Sequence, residues 1–186
     1  LKKGNFTNNA NAAVNAQDMT ISGRLTNNAN ADVNVAGTLK GAITNSGTVT
    51  TALLDSTSIT NNNTITVTEG AKVRNFTNNS TFNITGTLEG DVQGNNGTTN
   101  VVDHTTFVNN TTTVRGTLNL NDGLINVKED GMGTLTAGVI TGNGNISLDF
   151  DLLGDSDKII TQRVSSGTLT VSDLNILNPE TQLTRA

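Results

Sequence analysis

Phe76-Thr77-Asn78-Asn79-Ser80-Thr81-Phe82-Asn83-Ile84-Thr85-Gly86-Thr87-Leu88 holds the plan of the whole chain in thirteen residues. It opens with an apolar-Thr-Asn-Asn block. The same block stands at Phe6-Thr7-Asn8-Asn9, Leu25-Thr26-Asn27-Asn28 and Ile59-Thr60-Asn61-Asn62. Phe107-Val108-Asn109-Asn110 is a further copy, and Ile43-Thr44-Asn45-Ser46 a looser one. The leading apolar residues fall at 6, 25, 43, 59, 76 and 107, so most steps are about 15–19 residues and the last about two such steps. A unit this short cannot bury an apolar face alone and must stack on its neighbours, which is the definition of a solenoid.

The middle of the quoted stretch has a period of two. Phe82-Asn83-Ile84 alternates apolar and polar, as do Ile65-Thr66-Val67, Leu118-Asn119-Leu120, Ile146-Ser147-Leu148 and Leu169-Thr170-Val171. Alternation of this kind sends one set of side chains inward and the other outward on a strand. Thr suits the outward positions because its β-branch is stiff on a pleated surface. No apolar stripe with helical spacing is present, so almost no helix is expected.

The stretch closes on Gly-Thr-Leu, which recurs at Gly37-Thr38-Leu39, Gly116-Thr117-Leu118, Gly133-Thr134-Leu135 and Gly167-Thr168-Leu169. Gly permits a sharp change of direction, and this block is expected to mark one class of corner. The Asn pairs are expected at corners stacked in register, with their amides forming ladders along the axis.

These patterns predict an all-β fold, a parallel β-helix (β-solenoid) of about 10–11 coils at roughly 17 residues each, a rod on the order of 50 Å long. An antiparallel sandwich is the structural rival, but it has no use for self-similarity at this period. Residues 1–186 form a single segment in this reading. From about residue 140 the Asn pairs stop and the coils are expected to be less regular, ending at Pro179.

Composition narrows the function. About a third of the 186 residues are Asn or Thr, 33% are hydrophobic and only 15% charged. The net charge of −5 and the absence of a Lys/Arg stripe exclude a nucleic-acid partner. There is no cysteine, hence no disulfide and no thiolate metal site. No apolar run reaches the ~18 residues of a membrane span, and no signal peptide is visible. The chain starts at Leu1 and stops within the pattern, which reads as an internal piece of a longer protein.

The Thr-Asn-Asn blocks, with Val35-Ala36-Gly37-Thr38-Leu39 and Ile84-Thr85-Gly86-Thr87-Leu88, resemble the passenger region of type V autotransporters and related bacterial surface adhesins. Ser156-Asp157-Lys158-Ile159-Ile160 and Ser166-Gly167-Thr168-Leu169-Thr170-Val171 are similar to that family's late passenger coils. The resemblance covers nearly the whole chain. It implies a right-handed parallel β-helix at the bacterial cell surface or secreted, with any membrane attachment supplied by other segments. It also implies a stalk or adhesin role, with a host-surface glycan or protein, or a like chain, as partner.

The residues offer little for catalysis. His104 is the only histidine, preceded by Asp103 and followed by Thr105 and Thr106, but no Gly-x-Ser-x-Gly elbow exists. Parallel β-helices include polysaccharide-processing enzymes and phage tail-spikes, and this is the alternative reading. Glycoside hydrolysis needs two carboxylates about 5–9.5 Å apart, and Asp149 and Asp151 on one strand face fit that spacing. Against it, sugar grooves use aromatic platforms, and the chain has no Trp or Tyr. Asp149, Asp151, Asp155 and Asp157 are also a possible calcium set, without an EF-hand or β-roll pattern. Thr-x-Thr recurs at Thr48-Val49-Thr50, Thr64-Ile65-Thr66, Thr111-Thr112-Thr113 and Thr168-Leu169-Thr170. Flat Thr arrays on solenoids bind ice, but unequal coil spacing in the sequence argues against an array here. Asn-x-Thr sequons such as Asn75-Phe76-Thr77 and Asn83-Ile84-Thr85 follow from composition. The sequence therefore assigns no catalytic residue, cofactor or metal site.

Overall fold

The computed structural model describes residues 4–128, 131–151 and 154–177. Among them are 17 strands, all in one sheet system, and no helix. Every strand ladder is parallel. The one antiparallel contact is an isolated bridge, Phe150 to Ser156. The chain is a β-solenoid, as the repeat requires. The expected end at Pro179 lies outside the described residues.

Each coil runs over three faces. The strand Asp32–Asn45 covers all three, bending at Ala36-Gly37 and again at Gly41 (φ 137°). Its residues 32–35 lie on what we call the threonine face, 38–40 on the charged face and 42–45 on the ladder face. Register fixes each face coil by coil. On the threonine face Asn15, Asn34, Thr50, Thr66, Asn83, Asn100, Asn119, Thr141 and Ser166 stand side by side in nine successive strands. The described residues thus stack fewer coils than the 10–11 expected. The reason is coil length: steps of 16 or 17 residues hold only from Asn34 to Asn100, and the step from Thr141 to Ser166 is 25.

The core is a set of apolar files, one from each inward row. Val33, Val49, Ile65 and Phe82 stack on the threonine face, Leu39, Leu54, Ala71, Leu88 and Phe107 on the charged face. Phe6, Leu25, Ile43, Ile59, Phe76 and Val92 stack on the ladder face. Phe76 and Phe82 meet edge to face across the interior, centroids 4.8 Å apart. Each large side chain sealed this way contributes about 1.5–3 kcal/mol.

Two expectations about motifs need correction. Phe107 is not a member of the ladder-face file, because it stacks on Leu88 of the charged face. The sixth ladder-face position is held by Val92-Gln93-Gly94, a copy too degenerate to see in the sequence. Gly-Thr-Leu also does not mark one corner. Leu39 and Leu88 enter the charged face, Leu118 the threonine face and Leu135 the ladder face. Three copies lie inside strands, Gly37 in Asp32–Asn45, Gly86 in Thr81–Glu89 and Gly116 in Thr111–Asn119, and the glycine serves where the neighbouring coil comes close. Gly86 (φ 87°) shows why: a Cβ there would collide with the Glu69 carbonyl of the preceding coil.

The Asn ladder is realised, but inside the rod. Asn8, Asn27, Asn45, Asn61 and Asn78 are all buried. Each Nδ2 donates to the Oδ1 of the next, at 3.0, 2.9, 2.8 and 2.9 Å. The same amides donate to carbonyls of the corner, such as Asn45 to Gly47 and Asn61 to Asn63, and to the following coil, such as Asn45 to Thr64 and Asn61 to Thr81. The second Asn of each pair faces outward.

Asn61→Ala removes an acceptor from Asn45 and leaves the Thr81 and Asn63 carbonyls short of a donor, so it is expected to cost about 2–3 kcal/mol in urea unfolding. Asn62→Ala, one residue on and exposed, is expected to stay within about 0.5 kcal/mol. Equal effects would remove the ladder from its structural role. Gly86→Ala is expected to cost more than about 1 kcal/mol, because Ala must take a positive φ against a neighbouring carbonyl.

Candidate functional site

The outward rows are what the solenoid offers to a partner, and each face offers a different chemistry. On the ladder face Thr7, Thr26, Thr44, Thr60 and Thr77 form one row, followed by Gln93. Arg24 leans onto this row, its guanidinium donating to Thr44 Oγ1 at 2.9 Å. Across the later coils the same face holds a groove of about 340 Å³ lined by Asn95, Thr113, Arg115, Thr136, Ile160 and Gln162.

The charged face alternates in sign. Lys40, Asp55, Lys72 and Glu89 occupy one row, with ion pairs Lys40–Asp55 and Lys72–Glu89, both at 2.6 Å. Both pairs are solvent-exposed and contribute at most about 1 kcal/mol each. Their effect is to cancel charge locally. Beside them, exposed Leu53 and Val108 line a groove of about 250 Å³.

The threonine face is neutral over five coils. Thr48, Thr64, Thr81, Thr98 and Thr117 share one row, and Thr50, Thr66, Asn83, Asn100 and Asn119 the row two residues on. The Asn amides are tied along the axis: Asn83 donates to Thr66 Oγ1, Asn100 to Asn83 and Asn119 to Asn100, at 3.1, 2.8 and 2.9 Å. Unequal coil spacing in the sequence argues against such an array, but register shifts outside these rows, such as the one between Val101 and Thr105, absorb the difference and the two rows stay aligned.

The four aspartates do not form one cluster. The alternation expected over residues 145–151 breaks after Ile146: Ser147 and Leu148 are both half-buried and Asp149 is buried. The chain then folds back: Asp151 N–H donates to the Asp155 carbonyl and Asp157 N–H to the Asp149 carbonyl, both at 2.8 Å. Asp157 is buried, and its two oxygens accept the N–H groups of Gly133 at 2.6 Å and Asp149 at 2.7 Å. Asp149 accepts from Gly131 N–H at 3.3 Å and from Asn175 Nδ2 at 3.1 Å. Asp155 stays exposed at the turn. The two buried carboxylates therefore staple a hairpin to neighbouring coils. Among the described residues no group of three or more His, Cys, Asp or Glu is placed to hold a metal ion.

His104 is exposed, with Nδ1 3.2 Å from Asp103 Oδ2. Thr105 turns inward and donates to the Ile84 carbonyl at 3.2 Å, so that hydroxyl does not face the imidazole. Sequence reasoning missed the Asp149–Asp157 staple because three of its four donors are backbone N–H groups, which leave no residue signature, and the fourth, the Asn175 amide, is 26 residues away from Asp149.

Comparison with protein-family models, with curated proteins and with solved structures finds no match for this chain.

Burial holds the Asp157 carboxyl above its ordinary value of 3.8, outweighing the two backbone hydrogen bonds; the nearby Asp149 charge adds to the rise, and Lys128 opposes it. A raised pKa means the folded state keeps its proton longer than the unfolded one. Stability from this group is full below about pH 3.8 and falls as pH rises through the higher folded value. The urea midpoint of the native chain should therefore drop more between pH 4 and pH 7 than that of Asp157→Asn. The variant should also be weaker at pH 4, because an amide nitrogen cannot accept from both N–H groups. Parallel pH profiles would show that Asp157 contributes nothing to the dependence.

Proposed function

We propose that this chain is a rigid β-solenoid stalk and adhesin segment of a bacterial surface-exposed or secreted autotransporter passenger. It acts through its outer Asn/Thr rows, by adhesion to a host-surface glycan or protein or by self-association. The observation that carries this reading is the in-register repetition of uncharged polar rows on successive coils. A single Thr hydroxyl or Asn amide binds weakly, but a row of them presents the same group at each coil, and weak contacts to a repeating partner multiply through effective concentration. The charged face supports self-association, since its paired Lys and acidic groups leave little net charge to repel a like chain. The resemblance of the Thr-Asn-Asn and Gly-Thr-Leu blocks to passenger coils points to the same role.

The test is display. Inert beads coated with the chain are expected to aggregate with one another or to adhere to epithelial cells and matrix proteins, increasingly with coating density. Thr60→Glu with Thr77→Glu, which places two like charges on adjacent coils of the ladder-face row, is expected to weaken that adhesion while leaving the circular-dichroism spectrum unchanged. Beads that remain dispersed and non-adherent at every density would refute the reading.

A further inference from the structure

We propose that the threonine face binds ice, with the two rows beginning at Thr48 and Thr50 as the binding plane. The inference needs only the geometry of this face and is independent of the adhesive reading. Two spacings define the plane. Neighbouring strands set one at roughly 4.8 Å, and residues two apart along a strand set the other at roughly 6.7 Å. These are close to the two oxygen repeats on a prism face of hexagonal ice. The array is uninterrupted for five coils, from Thr48-x-Thr50 to Thr117-x-Asn119. It carries no charged residue between Asp32 at one end of the first row and Arg163 at the other.

Three further features suit a solid water surface better than a soluble partner. All ten side chains are half-buried, so they are packed against one another and do not wave in solvent. β-branched Thr has few rotamers on a strand, and the Asn amides are fixed by the Asn119-Asn100-Asn83-Thr66 chain of hydrogen bonds, so little side-chain freedom is lost on binding. Each Thr sets a methyl beside a hydroxyl. The methyls order the first water shell, and the hydroxyls and the amides' remaining N–H groups anchor it at the strand spacing. Water held at that spacing joins an ice lattice without rearrangement. The grooves described above open on the other faces.

The experiment is ice recrystallisation in a sucrose solution, together with incorporation of fluorescently labelled chain into a growing ice hemisphere. The native chain is expected to arrest grain growth and to enter the ice. Thr81→Lys, at the centre of the array and pointing outward, is expected to raise the concentration needed by about tenfold or more. Thr87→Lys, the same change on the charged-face end of the same strand, is expected to act like the native chain. Circular dichroism of both variants checks that the fold is kept. Exclusion of the native chain from ice, equal loss in both variants, or retention on crystalline chitin or cellulose in place of ice would overturn the proposal.

Discussion

An amide buried in a protein interior must find partners for its two N–H groups and its oxygen, or it costs more than it contributes. Asn8, Asn27, Asn45, Asn61 and Asn78 meet that demand only through each other and through the carbonyls of adjoining coils. That constraint sets the register of the ladder face. A strand slipped by one residue would turn Asn61 outward and Thr60 inward, leaving two amides and several carbonyls unpaired. Apolar files such as Ile43-Ile59-Phe76 tolerate small displacements, because hydrophobic burial is not directional. The Asn file does not. The ladder stops at Gly94, whose positive φ brings the backbone so close to the Asn78 carbonyl that no side chain fits.

With one face locked, the other two inherit their alignment. Coils of 16, 17 and 19 residues still place Thr48, Thr64, Thr81, Thr98 and Thr117 side by side, because the extra residues fall at register shifts outside these rows, such as the one between Val101 and Thr105. Outer chemistry can then differ between faces without disturbing the core: hydroxyls and amides on one, alternating charge on another, a threonine row with a groove on the third.

Much of this architecture was legible in the chain. The Thr-Asn-Asn repeat named a solenoid, and the alternation Phe82-Asn83-Ile84 gave the inward and outward sides. What escaped had physical causes. Phe107-Val108-Asn109-Asn110 has the block's letters, but its phenylalanine belongs to another face, since local spelling does not encode which face a strand joins. Val92-Gln93-Gly94 keeps only the apolar lead of the block, yet occupies the sixth position. The burial of Asp149 breaks the alternation that Ile146-Ser147-Leu148 sets up, and its partners, the Gly131 N–H and the Asn175 amide, come from other coils. The threonine array was hidden because sequence spacing measures chain length, whereas the face depends on strand pairing.

The coils lengthen toward the C-terminal end: the step between neighbouring threonine-face positions is 16 or 17 residues from Asn34 to Asn100, then widens to 25 between Thr141 and Ser166. Contacts in a solenoid run only between neighbours, so cohesion is local and is graded along the axis. Under tension such a rod does not fail at one moment. It yields as a zipper, loosening first in the wide coils, with each tighter coil demanding a larger pull. The gradient gives the molecule a mechanical direction, compliant at one end and stiff through the region where the asparagines lock.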